Sequence, residues 1–209
     1  MIKVLLADDH TIVRRGLKQI LESEPGLTVV YEASNGNEAI EYARSQSVDV
    51  VVMDITMPGK SGLEALKEIK RLKPRLPVLV LSMHPRDQYA VRVLKAGVAG
   101  YITKESAPDD LVNAIKRTVR GGRYISTEVA ELLAAHIGRD NPDEPHAALS
   151  DRELEVFLSI GQGKSLTEIA SDLNISIKTV STYRSRILEK TSLSSNAQIT
   201  RYCLQYGLT

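Results

Sequence analysis

Polar side chains directly follow four apolar stretches of this sequence, and their chemical types are those that bind cations and phosphates. In chain order they are Asp8 and Asp9, then Asp54, then Ser82, then Lys104. Asp54 raises the sharpest question, because it ends the apolar run Val50–Met53. An unpaired carboxylate costs several kcal/mol to bury. Taken alone, Asp54 is therefore better explained as an exposed turn or cap residue.

The complete set favours a different explanation. Three carboxylates brought together would repel one another and raise each other's pKa values, unless a divalent cation lies among them. Magnesium suits such a site, because it prefers oxygen ligands, keeps several waters and accepts phosphate oxygens. The hydroxyl of Ser82 and the ammonium of Lys104 are the donors that a phosphoryl group on Asp54 would need. The set therefore fits a magnesium ion with a phosphoryl group beside it.

The residues around these positions predict a doubly wound α/β domain over residues 1–120. Apolar runs of strand length are Ile2–Ala7, Thr28–Glu32, Val48–Met53, Pro77–Ser82 and Gly100–Thr103. Between them, apolar residues recur at three- and four-residue spacing, which is typical of amphipathic helices. Five strand–helix repeats with strands this apolar predict a five-stranded parallel sheet with helices on both faces. Ligands of such sheets bind beyond the carboxyl ends of the strands, where the polar residues fall.

Helix starts are marked by Ser or Asn followed three residues later by an acidic residue, the pattern of a capping box. Such pairs are Asn35 with Glu38, Ser61 with Glu64, Ser106 with Asp109, and Ser150 with Glu153. The first two pairs fall between predicted strands of the α/β domain, and the third follows its last predicted strand. The fourth predicts a helix start in the second half of the chain.

Length and composition limit the remaining possibilities. The 209 residues suit one large or two small domains, and 43% hydrophobic with 25% charged residues is ordinary for a globular protein. The net charge of +1 gives no overall field for nucleic acid or membrane, so any basic patch must be local. The single cysteine, Cys203, excludes an intrachain disulfide. The sequence has no 18-residue apolar run and no signal-peptide pattern, so we expect a cytoplasmic protein without a membrane partner.

The second half of the sequence predicts a linker and a small all-α domain. One more helix is predicted near residues 126–137, and residues 138–146 then show no periodicity and contain two prolines. We therefore interpret residues 121–148 as a linker that includes this helix. Helical periods continue through residues 149–209 without any strand-like run. This part is predicted to form a separate helical domain.

Two short helices around a tight turn, followed by a third helix with basic residues, predict a helix-turn-helix within the domain of residues 149–209. The third helix carries short polar side chains on one side: Ser181, Thr182 and Ser185. Its charged residues are mostly basic: Lys178, Arg184, Arg186 and Lys190, against Glu189. Short polar side chains flanked by cations suit the major groove of DNA. From the residues alone, an amphipathic helix with a solvated face explains the pattern equally well.

Residues 1–120 resemble the receiver domain of two-component response regulators in the order and spacing of the residues described above. The resemblance implies that Asp54 is the nucleophile that takes a phosphoryl group from a sensor histidine kinase. It also implies that Asp9, Asp54 and the carbonyl of Thr56 bind Mg²⁺, and that Asp8 acts largely through a coordinated water.

The same resemblance assigns roles around the phosphoryl group. Lys104 would pair with the phosphoryl oxygens, and the hydroxyl of Ser82 would move towards them. Tyr101 would turn inward when Ser82 moves, although a strand tyrosine also serves simply as packing. Thr56 and His84 would border the path of the hydrolytic water and tune dephosphorylation, with a plain loop histidine as the alternative for His84.

An aspartate-dependent phosphatase is the enzymatic alternative. That class takes its nucleophile from a DxD motif after the first strand, whereas the first strand here ends in Asp8-Asp9-His10. The candidate nucleophile, Asp54, follows the third strand instead. We therefore disfavour the phosphatase, and we interpret His10 as a loop residue rather than a ligand.

Residues 149–208 resemble the four-helix DNA-binding domain of the LuxR/NarL/FixJ regulators, through the Leu-Ser-Asp-Arg-Glu start, the Ile-Ala pair and Lys-Thr-Val. The resemblance implies that three side chains face base edges: Ser181, Thr182 and Ser185. It implies that five approach phosphates: Lys178, Thr179, Tyr183, Arg184 and Lys190. Many members have lysine in place of Ser181 and histidine in place of Tyr183, so their operators cannot be transferred. The last helix, about Asn196–Tyr206, helps to form the DNA-bound dimer in the family.

Together these features predict a phosphorylation-controlled transcription factor of the LuxR/NarL type. Such a protein would be a homodimer when active, would bind double-stranded DNA and would affect RNA polymerase only indirectly. It would not be an enzyme beyond accepting and slowly losing its own phosphoryl group. The alternative is a phosphorylation-independent DNA-binding regulator whose receiver-like domain serves only for dimerisation. The complete set of acidic, hydroxyl and lysine residues argues against that alternative.

Overall fold

The chain forms two compact units, Met1–Ala135 and His136–Thr209. The computed structural model describes residues 1–82, 87–127, 129–131 and 145–208. None of the helices in these ranges is long and apolar enough to cross a membrane.

The first unit is a parallel sheet of six strands in the order β2-β1-β3-β4-β5-β6. The strands are β1 Ile2–Ala7, β2 Leu27–Ala33, β3 Val50–Asp54, β4 Val78–Ser82, β5 Gly100–Thr103 and β6 Tyr124–Ile125. The helices between them are α1 Thr11–Ser23, α2 Gly36–Ser45, α3 Gly62–Leu72, α4 Asp87–Lys95 and α5 Ala107–Val119. This arrangement confirms the predicted doubly wound α/β fold, and its first five strands have the flavodoxin-like order 2-1-3-4-5.

The sheet has a hydrophobic core on each face, because successive strand residues point to opposite sides. On β3, Val51 and Met53 join one core, and Val50 and Val52 join the other. Buried residues of α2, α3 and α4 cover the first face, and buried residues of α1 and α5 cover the second. Both faces of the strands are therefore apolar, which explains why they show continuous apolar runs rather than alternation.

The sheet has one strand more than the five predicted. Two residues, Tyr124 and Ile125, pair in parallel with Gly100 and Tyr101 of β5. Their pairing continues into Ser126, whose N–H lies 3.3 Å from the Tyr101 carbonyl oxygen. A two-residue strand is too short to show any periodicity, so the sequence pattern did not reveal it.

Both ends of the segment 121–148, which was predicted as a linker, are part of the folded units: its first residues belong to the first unit, and its last residues belong to the second. After β6, residues 127 and 129–131 are helical, and Val129 is buried in the same core as Tyr101. The rest of the helix predicted near residues 126–137 lies outside the described residues. At the other end, Pro145–Ala148 form a 3-10 helix in which His146 is buried, with its Nδ1 2.8 Å from the Tyr202 hydroxyl.

All four predicted helix starts are confirmed, but only three of them carry the predicted cap hydrogen bond. Ser61 and Ser150 form complete capping boxes with Glu64 and Glu153, and Asn35 accepts the backbone N–H of Glu38. Ser106 itself has helical dihedral angles, and its hydroxyl bonds the Thr103 carbonyl oxygen. The hydroxyl is thereby drawn towards β5, and the N–H of Asp109 is satisfied by the Ser106 carbonyl oxygen instead.

The second unit is all helical over its described residues, as predicted. Its helices are α6 Asp151–Gly161, α7 Leu166–Asp172, α8 Ile177–Thr191 and α9 Asn196–Gln205. A short turn that includes Asn174 in the left-handed conformation (φ 50°) joins α7 to α8, and asparagine tolerates this conformation better than most residues. Val180 and Ile187 are buried, so the side of α8 that carries them packs against the core of the unit. The pair α7–α8 therefore forms a helix-turn-helix.

Candidate functional site

The carboxyl ends of four adjacent strands bring the predicted acidic, hydroxyl and lysine residues to one edge of the sheet. The register pairs Ala7 of β1 with Met53 of β3, and Ser82 of β4 with Thr103 of β5. Each of the predicted site residues among Asp8, Asp9, Asp54, Ser82 and Lys104 is either the last residue of a strand or lies one or two positions beyond it. The backbone N–H of Lys104 also bonds the Ser82 carbonyl oxygen at 2.7 Å, which fixes the start of the loop after β5.

Lys104 lies between two buried carboxylates. Its Nζ is 2.7 Å from Oδ2 of Asp8 and 2.7 Å from Oδ2 of Asp54. The side chains of Asp8, Asp54 and Lys104 are 0%, 2% and 7% exposed. The cost of burying Asp54 is therefore partly offset by a counter-charge in direct contact. The structure thus places Asp54 in a site and not at an exposed turn.

The remaining acidic residue completes a cluster of oxygen donors. One ligand atom from each of Asp8, Asp9, His10 and Asp54 can be chosen so that all four lie within 4.8 Å of one another. One oxygen of Asp8 and one of Asp9 are buried at this position. Closely spaced carboxylate oxygens are the donor set that a hard divalent cation requires, so these residues fit such an ion.

Two loop residues contact the acidic cluster in ways that the sequence did not fully anticipate. The exposed His10 was interpreted as a plain loop residue. Its ring Nδ1 nevertheless lies 2.9 Å from Asp9 Oδ1, and its backbone N–H donates to Asp8 Oδ1. The only sequence signal was its position directly after Asp8-Asp9. Thr56 is exposed, and its backbone N–H donates to Asp54 Oδ1 at 3.2 Å. Asp54 is therefore held at both oxygens.

The pKa of Asp54 is raised from its ordinary value of 3.8 to about 6. Burial is the largest cause and the neighbouring Asp8 adds to it, while Lys104 and the Thr56 N–H act in the opposite direction. For Lys104, burial alone would lower the pKa, but Asp54 and Asp8 outweigh it and raise the pKa. Around neutral pH, in the absence of a metal ion, Asp54 is therefore mostly ionised beside the charged ammonium of Lys104.

This pKa predicts that Asp54 reduces the stability of the folded protein. Its pKa is about 6 when folded against 3.8 when unfolded, so stability falls as pH rises between these values and the penalty is complete above about pH 6. Asp54→Asn removes the ionisable group. We expect it to raise the free energy of unfolding at about pH 7.5, without divalent cations, by on the order of 3 kcal/mol.

Chemical denaturation at about pH 7.5 and pH 4.5, in the presence of a chelator, measures this effect. The gain in the free energy of unfolding of Asp54→Asn over wild type should be smaller at the lower pH, because Asp54 is then mostly protonated in the folded wild type. A gain of equal size at both pH values would contradict the assignment of the penalty to ionisation of Asp54.

Gly62 is a structural residue of the site that the sequence reasoning missed. It is the first residue of α3, directly after the capping Ser61, and its N–H bonds the Ile55 carbonyl oxygen at 2.9 Å. A Cβ at this position would lie 2.0 Å from the carbonyl oxygen of Asp54. Any side chain would therefore push the end of β3 away from α3 and displace Asp54.

Tyr101 was predicted to respond to phosphorylation, and His84 was predicted to tune dephosphorylation. Tyr101 is fully buried in the core of the first unit, so its ring already lies inside the protein in this structure. His84 lies outside the described residues.

The predicted DNA-contacting side of α8 is largely exposed. Exposed residues are Lys178, Ser181, Thr182, Ser185 and Lys190, and half-buried ones are Thr179, Tyr183 and Arg184. The hydroxyls of Thr182 and Ser185 donate to the carbonyl oxygens of Lys178 and Ser181, one turn earlier. A hydroxyl that donates internally still has lone pairs for a further hydrogen bond, so these side chains keep the capacity to contact a base.

Two basic residues of α8 contact side chains of neighbouring helices in the same unit. The sequence pattern gave no reason to expect these contacts. Nε of Arg184 lies 2.5 Å from Oδ1 of Asn196, the first residue of α9. Nζ of Lys190 lies 2.6 Å from Oε2 of Glu153 on α6. Both contacts join α8 to a neighbouring helix.

A parallel α/β unit with this acidic site, followed by a helix-turn-helix unit, defines the class of response regulators that act on DNA. Two family models match the chain: the response regulator receiver domain over residues 4–116, and the bacterial regulatory proteins of the luxR family over residues 147–203. The chain belongs to this family of response regulators. It carries a receiver domain and a luxR-type DNA-binding domain.

Individual relatives match along nearly the whole chain. The response regulator UvrY of Escherichia coli K12 is 40% identical over 209 residues, which cover 100% of this chain and 96% of UvrY. RcsB of Salmonella enterica serovar Typhimurium, solved bound to a promoter with the phosphomimetic BeF3−, is 30% identical with a TM-score of 0.62, covering 96% of this chain and 97% of RcsB. Another structure contains two RcsB dimers bound to two parallel DNAs, at 30% identity and a TM-score of 0.61, covering 96% of each chain.

Proposed function

We propose that this response regulator takes a phosphoryl group from a sensor histidine kinase onto Asp54 and thereby controls sequence-specific DNA binding by α8. The observation that carries this proposal is the environment of Asp54, a buried carboxylate with Lys104 in contact with one oxygen and the Thr56 N–H on the other. A nucleophile held at both oxygens is already oriented for attack. The receiver-domain match over residues 4–116 supports the same role.

In the transfer step, a carboxylate oxygen of Asp54 forms a bond to phosphorus while the bond from phosphorus to the kinase histidine breaks. Asp8, Asp9, Asp54 and the Thr56 carbonyl would hold Mg²⁺. The bound ion would supply positive charge to the transferred group and to the clustered carboxylates. Lys104 then pairs with the phosphoryl oxygens, as it pairs with Asp54 in this structure. The only chemistry of the protein is on its own side chain, so we assign it no enzymatic turnover of another substrate.

The response to phosphorylation involves β4 and β5. We assign the Ser82 hydroxyl as a donor to the phosphoryl group and Tyr101 as the residue whose packing changes with it. The ring of Tyr101 already lies in the core in this structure, so its response would be a change of packing within the core rather than a turn from outside to inside. For Thr56 and His84, a part in tuning hydrolysis stays a prediction from the family resemblance.

The output is binding of double-stranded DNA by the exposed side of α8. We assign Ser181, Thr182 and Ser185 to base edges, and Lys178, Thr179, Tyr183 and Arg184 to phosphates. RcsB has been solved on a promoter and as dimers on DNA, and its match to 96% of this chain supports DNA binding as a homodimer. Exposed apolar residues on or next to α9, Leu204 (67%) and Tyr206 (46%), are available for such pairing. RNA polymerase would be affected only indirectly.

Genomic DNA occupancy of wild type and Asp54→Asn, measured under conditions that activate the kinase, tests the proposal. Coupling between sites in switches of this kind is about 1–3 kcal/mol, so we expect occupancy of the target promoters to fall by about fivefold or more. Asp49→Asn is the matched control, because Asp49 is an exposed residue next to the other end of β3. Equal occupancy by wild type and Asp54→Asn would favour the phosphorylation-independent alternative.

A further inference from the structure

The carboxylate of Glu153 makes two connections in the helical unit. Its Oε2 accepts the backbone N–H of Ser150 at 2.8 Å, which completes the capping box at the start of α6. The same oxygen lies 2.6 Å from Nζ of Lys190, 37 residues later in the chain. Lys190 is the second-last residue of α8. One carboxylate therefore ties the start of α6 to the end of the recognition helix.

The two partners differ in their access to water. The Glu153 side chain is 4% exposed, whereas that of Lys190 is 41% exposed. Burial raises the pKa of Glu153, but Lys190 and Ser150 together outweigh burial and lower it. If Lys190 moved away to a DNA phosphate, a buried carboxylate would lose its counter-charge, which is strongly unfavourable. Lys190 is therefore better placed to hold α8 than to contact DNA.

We propose that Glu153 is a positioning residue for DNA binding and that it acts through Lys190 on the recognition helix. This assignment replaces the phosphate contact that the family resemblance implies for Lys190. It rests on the proposed function, because it requires α8 to enter the major groove. Sites of this kind require side chains to be held within about 0.5 Å of the productive geometry, and α8 is 15 residues long, or about 22 Å. Holding the C-terminal end of α8 limits the tilting of the helix, and therefore the displacement of Ser181, Thr182 and Ser185.

The two roles of Lys190 predict opposite results for Glu153→Gln. Glutamine keeps the capping box, because its amide oxygen also accepts the Ser150 N–H, but it removes the charge that holds Lys190. If Lys190 contacted a phosphate, Glu153→Gln would leave DNA binding unchanged or strengthen it. If Glu153 positions α8, the substitution weakens binding to specific sites.

The experiment measures binding of the full-length protein, treated with acetyl phosphate and Mg²⁺, to two duplexes over a range of salt concentrations. One duplex is selected from random DNA by the wild-type protein, and the other is a scrambled version. The variants are Glu153→Gln, Lys190→Met, the double variant and Lys190→Arg. Lys116→Met is the control for loss of a lysine, because Lys116 is 39% exposed and pairs with Glu24 in the receiver unit.

We expect Glu153→Gln and Lys190→Met each to reduce affinity for the selected duplex by about tenfold, the scale of one hydrogen bond to a charged group. Binding to the scrambled duplex and the salt dependence should stay as in wild type. The double variant should be no weaker than either single variant, and Lys190→Arg should restore most of the affinity. The ratio of the two affinities does not depend on the fraction of folded protein, so simple destabilisation would not change it.

Unchanged or tighter binding of the selected duplex by Glu153→Gln would overturn the assignment. Lys190→Met could also overturn it. If this variant made the slope of log affinity against log salt concentration smaller by about one, Lys190 would be contacting a phosphate. Should Glu153→Gln fail to fold, Lys190→Met gives the same comparison with Glu153 intact. A wild-type protein that selects no duplex at all would overturn the proposed function, and this inference with it.

Discussion

Asp54→Asn is expected to abolish phosphorylation of the protein completely. Asparagine has nearly the same shape as aspartate and can keep the hydrogen bond from the Thr56 N–H, but its neutral amide is a poor nucleophile for phosphorus. Incubation of wild type with acetyl phosphate and Mg²⁺ should add one phosphate that is stable in acid and labile in base. Intact-protein mass spectrometry measures the added phosphate.

Asp49→Asn serves as the control, because it makes the same chemical change at an exposed position outside the acidic cluster. It should incorporate one phosphate as wild type does. Labelling of Asp54→Asn to the wild-type level would contradict the assignment of Asp54 and would direct attention to another carboxylate of the cluster. Omitting Mg²⁺ should also suppress labelling of wild type, since the clustered carboxylates then lack the ion that would balance their charge.

Substitutions on α8 are expected to separate affinity from sequence selectivity. Arg184→Ala should weaken binding to all DNA sequences to a similar degree, since it would remove the phosphate contact proposed for Arg184. The slope of log affinity against log salt concentration should become smaller by about one. Ser181→Ala, by contrast, should change the ranking of DNA sites, by about 1–3 kcal/mol per affected base pair. Binding of a library of duplexes at several salt concentrations measures both quantities.

Asn196→Ala controls for the internal contact of Arg184. It removes the acceptor that lies 2.5 Å from Arg184 Nε but leaves the positive charge in place, so the salt dependence should not change. The guanidinium has five N–H donors and uses one of them for Asn196, so it can bind a phosphate at the same time. If Arg184→Ala re-ranked the sites while Ser181→Ala lowered affinity uniformly, our orientation of α8 would be wrong.

The sequence by itself determined the fold and the composition of the candidate site, because both follow from short-range patterns. Continuous apolar runs mark strands that are covered on both faces, and their alternation with helical periods leaves a parallel sheet as the arrangement that buries them. The carboxyl ends of parallel strands meet at one edge. The convergence of Asp8, Asp54 and Lys104 could therefore be predicted from positions that lie far apart in the chain.

Only the tertiary structure decided the contacts between residues that no periodicity or spacing in the sequence connects. The two-residue strand β6 forms because β5 offers it an edge, and Gly62 is required because α3 begins against the Asp54 carbonyl group. The contact of Lys190 with Glu153 likewise depends on how α6 and α8 pack. Periodicity reports which side of an element is buried, but it contains no information about which distant side chain lies opposite, because that partner is set by the packing of the whole unit.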